Sequence, residues 1–229
     1  MYLVVKRFVE FNLSLLALII LSPLLVPVMI ILKLTGEHEV IFLQKRIGYK
    51  NREFNIWKFA TMMKNSPTMG TGEITLRDDP RVTPVGRVLR RTKINELPQL
   101  INVLKGDMSI VGPRPLMRES FELYSTEVQR VIYNTHPGIT GIGSVIFRDE
   151  EKIISESKDV QATYRRVFRY KGDVEMWYQE RISVFTDLMI IFLTAWNMVF
   201  TNSRLLYTIF PSLPKWDCQD LTREEYPRQ

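Results

Sequence analysis

The chain has 229 residues, of which 45% are hydrophobic and 24% are charged. This composition excludes an intrinsically disordered protein, and the length excludes a large multidomain assembly. The single cysteine, Cys218, excludes an internal disulfide, favours a reducing compartment and leaves no cysteine pair for a zinc site.

The net charge of +6 is concentrated in one part of the chain. Residues 44–118 hold 15 Lys and Arg against 6 Asp and Glu, whereas residues 119–229 hold 13 against 16. Because dense positive charge attracts phosphate groups, the basic segment predicts a partner that bears phosphate. A nucleotide, a lipid headgroup and a nucleic acid all meet that description.

The first predicted element is a membrane helix. Residues 11–32 contain no charged side chain and consist mainly of Leu, Ile and Val, which is long enough to enter a bilayer. Ser22-Pro23 lies in the middle of this run and Pro27 follows, so a kink is predicted. Because basic residues flank both ends, a re-entrant hairpin and a kinked spanning helix both fit.

The next elements predict a small mixed α/β body. Two short apolar or alternating runs, 40–43 and 54–59, flank a polar stretch with a glycine, which is typical of a β-hairpin. Residues 62–75 are rich in Gly, Pro, Ser and Thr and form a predicted loop, a candidate mobile lid. Helices are predicted over residues 85–91 and 94–105.

The second half is predicted to be mainly helical. We expect an amphipathic helix over 119–134, a short strand over 144–147 and a charged helix over 158–181. Two polar residues interrupt the final apolar stretch, 182–200, so it is predicted to pack on the body or lie in the membrane interface.

Three units follow from these elements. Residues 1–36 form a predicted membrane anchor, residues 37–200 a mixed α/β domain, and residues 201–229 a tail that is a candidate for contact with the membrane surface.

The strongest candidates for chemistry lie between residues 77 and 115. Several cations there are spaced to converge, and two prolines stiffen the backbone around Arg114. A fixed guanidinium suits bidentate recognition of phosphate, although a solvated basic face on anionic lipid has the same composition. Glu96, at the start of a predicted helix, is also compatible with a simple partner of the helix dipole.

The blocks KRFVEF, FLQKRIGYKNREFNIWKF, DDPRVTPVGRVLRRT, NELPQLINVLKGDMSIVGPRPL and PGITG occur in this order, with Ser22-Pro23 after the first. In this combination the chain closely resembles the bacterial sugar transferase family, the monotopic phosphoglycosyl transferases, from residue 6 to about residue 145. The resemblance implies a re-entrant helix hairpin bent at Ser22-Pro23. It also implies a small α/β catalytic domain with amphipathic interfacial helices on the cytoplasmic face of the bacterial inner membrane.

The resemblance further implies an activity. Members of the family transfer a phosphosugar from a UDP-sugar to a polyprenyl phosphate, usually undecaprenyl phosphate, and release UMP with Mg²⁺ present. This reaction initiates the assembly of surface glycans or exopolysaccharides. The implied partners are therefore a UDP-sugar, a polyprenyl phosphate and membrane lipid, with other glycan-assembly enzymes or a second copy as further candidates and no nucleic acid.

The site departs from the family at two positions. The family has an Asp-Glu pair whose aspartate is the nucleophile, and this chain has Asn95-Glu96 in its place. An amide oxygen is a far weaker nucleophile than a carboxylate, so the two-step mechanism does not carry over to Asn95 unchanged. Ala60 stands where the family usually has an arginine.

The resemblance assigns candidate roles. Glu96 is an acid or base, a metal ligand or a substitute nucleophile, and Asn95 positions the donor or Mg²⁺. The substrate-binding candidates are Arg46, Lys58, Arg81, Arg87, Arg90, Pro113, Arg114, Pro115 and Arg148. The loop around Gly70 is the candidate for sugar selectivity.

Three classes of function stay open on these residues. The first is a transferase that uses Glu96, a carboxylate of residues 149–151 or direct attack by the lipid phosphate. The second is a catalytically silent relative that holds other glycan enzymes at the membrane. The third is a nucleic-acid-binding membrane protein, but the sequence shows no helix-turn-helix, zinc or RNA-binding signature.

Overall fold

The computed structural model describes residues 2–66, 79–148, 159–200 and 205–215. It is a mixed α/β protein in which one long apolar helix precedes a body of shorter helices and two small sheets. The predicted lid around Gly70 and the carboxylates that follow Arg148 lie outside the described residues. In chain order the elements are α1 (Tyr2–Leu34), β1 (Ile41–Ile47), β2 (Glu53–Phe59), α2 (Pro84–Arg91), α3 (Gln99–Lys105), β3 (Ser109–Val111), α4 (Arg118–Phe121), α5 (Thr126–Val131), β4 (Gly138–Thr140), α6 (Ile142–Ile146), α7 (Val160–Glu180), α8 (Val184–Val199) and α9 (Leu205–Ile209).

Helix α1 contains the predicted membrane segment. Within the described residues it is the one helix long and apolar enough to cross a membrane. It is helical over 33 residues with Pro23 and Pro27 inside it, so the expected hairpin does not appear as two separate helices and stays a prediction. The middle of α1 exposes large apolar side chains: Leu13, Leu15, Leu16, Ile19, Ile20 and Leu24.

The predicted β-hairpin is confirmed. Strands β1 and β2 pair antiparallel from Ile41 opposite Phe59 to Ile47 opposite Glu53, so they extend beyond the predicted runs. Lys50 and Asn51 adopt positive φ in the turn between them. A second sheet consists of β3 and β4, which pair parallel.

Two predictions for the second half are wrong. Residues 144–147 are not a strand: the strand is β4, and the apolar run after it is the helix α6. The spacing of Ile142 and Val145, which are both buried, suits one face of a helix, and so short an apolar run does not distinguish helix from strand. The single helix predicted over 119–134 is divided into α4 and α5, because Ser125 caps α5 by accepting a hydrogen bond from the Val128 N–H.

The main core lies between β3, α6, α7, α8 and α9. Its central side chains include Val111, Ile142, Val174, Tyr178, Ile190 and Leu193. Phe210 and Leu213 are buried in the same cluster, and the Phe210 ring lies 5.1 Å from that of Trp177. The body therefore holds the described part of the predicted tail, while contact of the tail with a membrane surface stays a prediction.

Helix α2 begins against the backbone of the loop that follows β2. Gly86, in its first turn, has so little space that an added Cβ would lie 2.1 Å from the Thr61 carbonyl oxygen. The Thr83 side chain caps the same turn by accepting a hydrogen bond from the Gly86 N–H. A side chain at position 86 is therefore incompatible with this packing.

We expect Gly86→Ala to lower the free energy of unfolding by about 2 kcal/mol or more, because backbone atoms must move to admit the methyl group. Thermal unfolding in detergent would measure the change. Val88→Ala is the matched control on the same helix, since Val88 is 61% exposed, and it should change stability by less than about 0.5 kcal/mol. Equal stability of Gly86→Ala and the parent protein would contradict the close approach.

Candidate active site

Three segments that are distant in the sequence meet at the Glu96 carboxylate. Lys58 on β2 places its Nζ 3.5 Å from Glu96 Oε1, and Arg114, after β3, places its Nη2 3.6 Å from the same oxygen. The side chains of Lys58 and Glu96 are 16% and 17% exposed, whereas that of Arg114 is 44% exposed. Glu96 is therefore held between two cations, one of which reaches the surface.

These charges determine the ionisation of the pair. Burial by itself would raise the pKa of Glu96, but the attraction of Lys58, Arg114 and Lys93 outweighs it and lowers the pKa to about 2. The pKa of Lys58 is lowered to about 8, chiefly by burial; the nearby arginines Arg114, Arg46 and Arg90 act in the same direction, and the attraction of Glu96 opposes them. At neutral pH Glu96 is a carboxylate, which suits a ligand or nucleophile better than a proton donor.

The Asn95-Glu96 pair lies on a tight turn before α3. Residues Ile94–Glu96 form one turn of 3₁₀ helix, and Lys93 begins it with a left-handed backbone conformation, φ 60°. Because Pro98 has no N–H, the predicted helix over 94–105 is regular only from Gln99 onward. This turn brings the Glu96 side chain to β2 and exposes Lys93.

Asn95 is a buried amide beside this carboxylate. It is 8% exposed, and its Oδ1 has no hydrogen-bond partner among the described residues. A buried, unpaired amide oxygen costs stability, so it marks a place where a ligand can supply the missing contact.

Asn95 and Glu96 are the candidate magnesium ligands of this site, because each carries a side-chain oxygen. No group of three or more His, Cys, Asp or Glu side chains within the described parts of the chain is arranged to hold a metal. Mg²⁺, however, is commonly bound by one or two protein oxygens together with substrate phosphates. Glu96 and Asn95 offer that donor set.

The loop after β3 presents Arg114 between two buried prolines, Pro113 and Pro115. Arg46 on β1 donates from Nη1 to the Pro115 carbonyl at 3.4 Å, which places a further cation beside this loop. The structure thus brings together five predicted cationic or proline positions and the Asn95-Glu96 turn. They are Arg46, Lys58, Pro113, Arg114 and Pro115, with Arg90 close enough to influence the pKa of Lys58.

Three predicted substrate-binding arginines are placed differently. Arg81 is 4% exposed, and its guanidinium pairs with Asp79 at 2.6 Å and donates to the Ser66 carbonyl at 2.9 Å. It therefore stabilises the turn before α2. Arg87 and Arg148 are exposed, and within the described residues no hydrogen bond or ion pair joins either of them to Glu96. Their roles in binding substrate stay predictions.

Lys93 has an electrostatic role that was not predicted from the sequence. It lies among the cations between residues 77 and 115, and its charge helps to lower the pKa of Glu96. Its position three residues before Glu96, at the start of the turn, is the signal that identifies it.

The match to a known family is extensive. The model of the family described as bacterial sugar transferase matches residues 1–201. The chain belongs to the bacterial sugar transferase family.

Relatives of this bacterial sugar transferase include proteins named for specific reactions. It is 35% identical over 195 residues to a UDP-N-acetylgalactosamine-undecaprenyl-phosphate N-acetylgalactosaminephosphotransferase of Aeromonas hydrophila, covering 84% of this chain and 43% of the relative. It is 36% identical over 208 residues to an undecaprenyl-phosphate glucose phosphotransferase of Komagataeibacter xylinus, covering 86% and 36%. The exopolysaccharide production protein ExoY of Sinorhizobium fredii is 36% identical over 203 residues, covering 82% and 83%. The chain thus spans less than half the length of the first two relatives and most of the third.

We expect Lys58→Met to raise the pKa of Glu96 from about 2 to above about 3, because it removes the largest attraction on the carboxylate. A ¹³C NMR titration of labelled glutamate carboxyls would follow this pKa, with Glu96→Gln used to assign the signal. Lys64→Met is the matched control, since Lys64 pairs with exposed Glu39 at 3.2 Å, and it should leave Glu96 unchanged. A pKa of Glu96 that stays at about 2 in Lys58→Met would refute the pairing.

Proposed function

We propose that this protein transfers a phosphosugar from a UDP-sugar to undecaprenyl phosphate or another polyprenyl phosphate, and that this reaction initiates membrane-associated glycan assembly. The observation that carries the proposal is the charged Glu96 between Lys58 and Arg114, beside the unpaired oxygen of Asn95. The names of two relatives include undecaprenyl phosphate as the acceptor, and one name includes a UDP-sugar.

The cations of the site match the charge of both substrates. A UDP-sugar carries a diphosphate and the acceptor carries a phosphate, so their approach brings several negative charges together. Lys58, Arg114 and the nearby arginines offset this repulsion and stabilise the charge that develops on the transferred phosphoryl group. Glu96 and Asn95 are the residues that would hold Mg²⁺, which supplies further charge neutralisation when bound.

Two routes fit these residues. In direct transfer, an oxygen of the lipid phosphate attacks the phosphorus that bears the sugar. The bond from that phosphorus to the bridging oxygen breaks, and UMP leaves with the bridging oxygen and its electron pair. In the alternative, a carboxylate oxygen of Glu96 attacks first and UMP leaves. The lipid phosphate then displaces the phosphosugar from Glu96, which restores the carboxylate.

We also infer that α1 is re-entrant, so that the body lies on the cytoplasmic face of the inner membrane. The first support is the docking of the start of α1. Lys6 Nζ donates to the Val111 carbonyl at 2.8 Å and pairs with Asp187 at 2.7 Å, and Arg7 Nη1 donates to the Met108 carbonyl at 2.8 Å. The start of the helix is therefore fixed to the body.

The second support is the docking of the other end of α1. Val28 and Leu32 are buried in a cluster with Phe59 and Leu89 of the same body. A straight helix of this length would extend about 50 Å, more than the thickness of a bilayer. One body cannot contact both ends of α1 from opposite sides of a membrane, so a helix that enters and leaves on one side fits these contacts.

Helix α8 is the proposed interfacial helix. Its inner face supplies Asp187 to the contact with Lys6, whereas its outer face exposes Val184, Phe185, Leu188 and Phe192. An apolar outer face on a helix next to the start of the membrane segment is suited to the boundary of the bilayer.

The activity test is release of UMP by the purified protein in nanodiscs with Mg²⁺, undecaprenyl phosphate and UDP-glucose, UDP-galactose or UDP-N-acetylgalactosamine. We expect release to depend on the lipid, and Glu96→Gln to reduce kcat by about a hundredfold or more, since the variant has lost the site's carboxylate. Glu39→Gln, a change at an exposed glutamate, should keep the parent activity.

The same assay distinguishes the alternatives. Exchange of labelled UMP into the UDP-sugar without lipid would indicate a covalent intermediate on the protein, whereas lipid-dependent turnover without exchange would indicate direct transfer. Activity in Asn95→Asp but not in the parent protein would instead favour the catalytically silent relative that holds other glycan enzymes at the membrane.

Labelling of single cysteines tests the topology of α1. In a Cys218→Ser background we expect Val4→Cys and Glu37→Cys to react with an impermeant maleimide only when the cytoplasmic face is accessible, like Asn51→Cys in the body. Replacing Ser22-Pro23 by Ala-Ala should straighten α1 and move position 4 to the periplasmic face. Cytoplasmic labelling of position 4 in that variant would contradict a role for Ser22-Pro23 in the bend.

A further inference from the structure

A buried side chain from another part of the chain holds the backbone around Arg114. The Tyr133 hydroxyl donates to the Arg114 carbonyl oxygen at 2.8 Å and accepts the Leu116 N–H at 3.0 Å. One hydroxyl thus binds the main chain on both sides of Pro115.

Burial makes these contacts costly to omit and keeps Tyr133 in its donating form. Tyr133 is 1% exposed. Burial raises the pKa of the Tyr133 hydroxyl far above its usual range, so the hydroxyl keeps its proton. Without this hydroxyl, the Arg114 carbonyl and the Leu116 N–H would lose the partner that they share.

The sequence around Arg114 makes the loop dependent on Tyr133. Pro113 and Pro115 have no amide hydrogen, so residues 113–116 contain only two backbone donors, those of Arg114 and Leu116. Tyr133 accepts the Leu116 N–H. This donor is therefore bound by a side chain and not used in a helix or a sheet.

We propose that Tyr133 is a positioning residue that holds the main chain of Arg114 so that its guanidinium points into the active site. The consequence for catalysis rests on the proposed transferase function, whereas the restraint on the loop does not. Tyr133 does not touch the reacting atoms and acts through Arg114. The predicted effect of removing its hydroxyl is a loop that keeps its fold but presents Arg114 less accurately.

Hydrogen exchange of the Leu116 amide tests the restraint without any assay of activity. We expect Tyr133→Phe, which removes one hydroxyl, to speed exchange at Leu116 by about tenfold or more, because the hydroxyl that accepts this N–H is lost.

Tyr170→Phe is the matched control. Tyr170 is also buried, at 8% exposure, and its hydroxyl donates to the Pro214 carbonyl at 2.6 Å. This variant loses the same kind of hydrogen bond in another part of the body. It should leave exchange at Arg114 and Leu116, and the transfer activity, at parent values.

The kinetic test separates positioning from general stability. We expect Tyr133→Phe to lower kcat/KM for transfer by about tenfold or more, as a misplaced cation in the site would. In an Arg114→Ala background the same change should alter kcat/KM by less than about twofold, because its effect passes through Arg114.

The outcomes are distinct. If the parent protein transfers no phosphosugar, the proposed function fails, and faster exchange at Leu116 in Tyr133→Phe still supports the restraint. If exchange at Leu116 stays at the parent rate in Tyr133→Phe, the inference is overturned. It is equally overturned if exchange becomes faster in an active protein whose kcat/KM does not change, or if Tyr133→Phe has its full effect without Arg114.

Discussion

The ionised carboxylate of Glu96 is the constraint on which the rest of the site depends. Its pKa of about 2 requires that cations from two other segments stay close to it despite burial. Lys58 meets this requirement from β2 and Arg114 from the loop after β3. Any change that moves β2 or the loop after β3 relative to the turn at Ile94–Glu96 would alter the charge balance of the site. The packing of these short elements therefore determines the ionisation of Glu96.

Helix α1 contacts the two elements that position these cations. Near its end it packs on β2, which carries Lys58, and near its start it binds β3, which leads to Arg114. Phe59, next to Lys58 on β2, packs with Val28 and Leu32 near the end of α1. Adjacent residues of a strand face opposite sides, so β2 contacts α1 with one face and the site with the other.

The start of α1 has the corresponding role for Arg114. The Glu10 carboxylate accepts hydrogen bonds from the Ser109 hydroxyl at 2.5 Å and the Ile110 N–H at 2.9 Å, both on β3. Because β3 leads directly into the loop of Arg114, the anchor, the two strands and the site form one packed unit. The contacts that bring the charges of the site together therefore also attach it to the long apolar helix α1.

The sequence predicted those features that depend on nearby residues. The β-hairpin, α2, α7 and α8 follow from local periodicity and turn residues, and the density of cations indicated a phosphate site. It did not predict which cations meet. Arg81 and Arg90 both lie among the cations between residues 77 and 115. The turn at Asp79 and Arg81, however, directs the Arg81 guanidinium into an internal ion pair. Tyr133 belongs to no recognisable motif, and only the packing of the segment after α5 against the loop after β3 reveals its contacts.

Asn95 bears on which of the two proposed routes the site suits. An aspartate at this position, as the resemblance implies for the family, would add a second negative charge next to Glu96 in the chain. With an amide here, Glu96 and the two cations that contact it carry a net positive charge. A two-step route can meet its anionic substrates one after the other, whereas direct transfer requires the diphosphate and the lipid phosphate together. In the transferase proposed above, the more positive site suits the second demand.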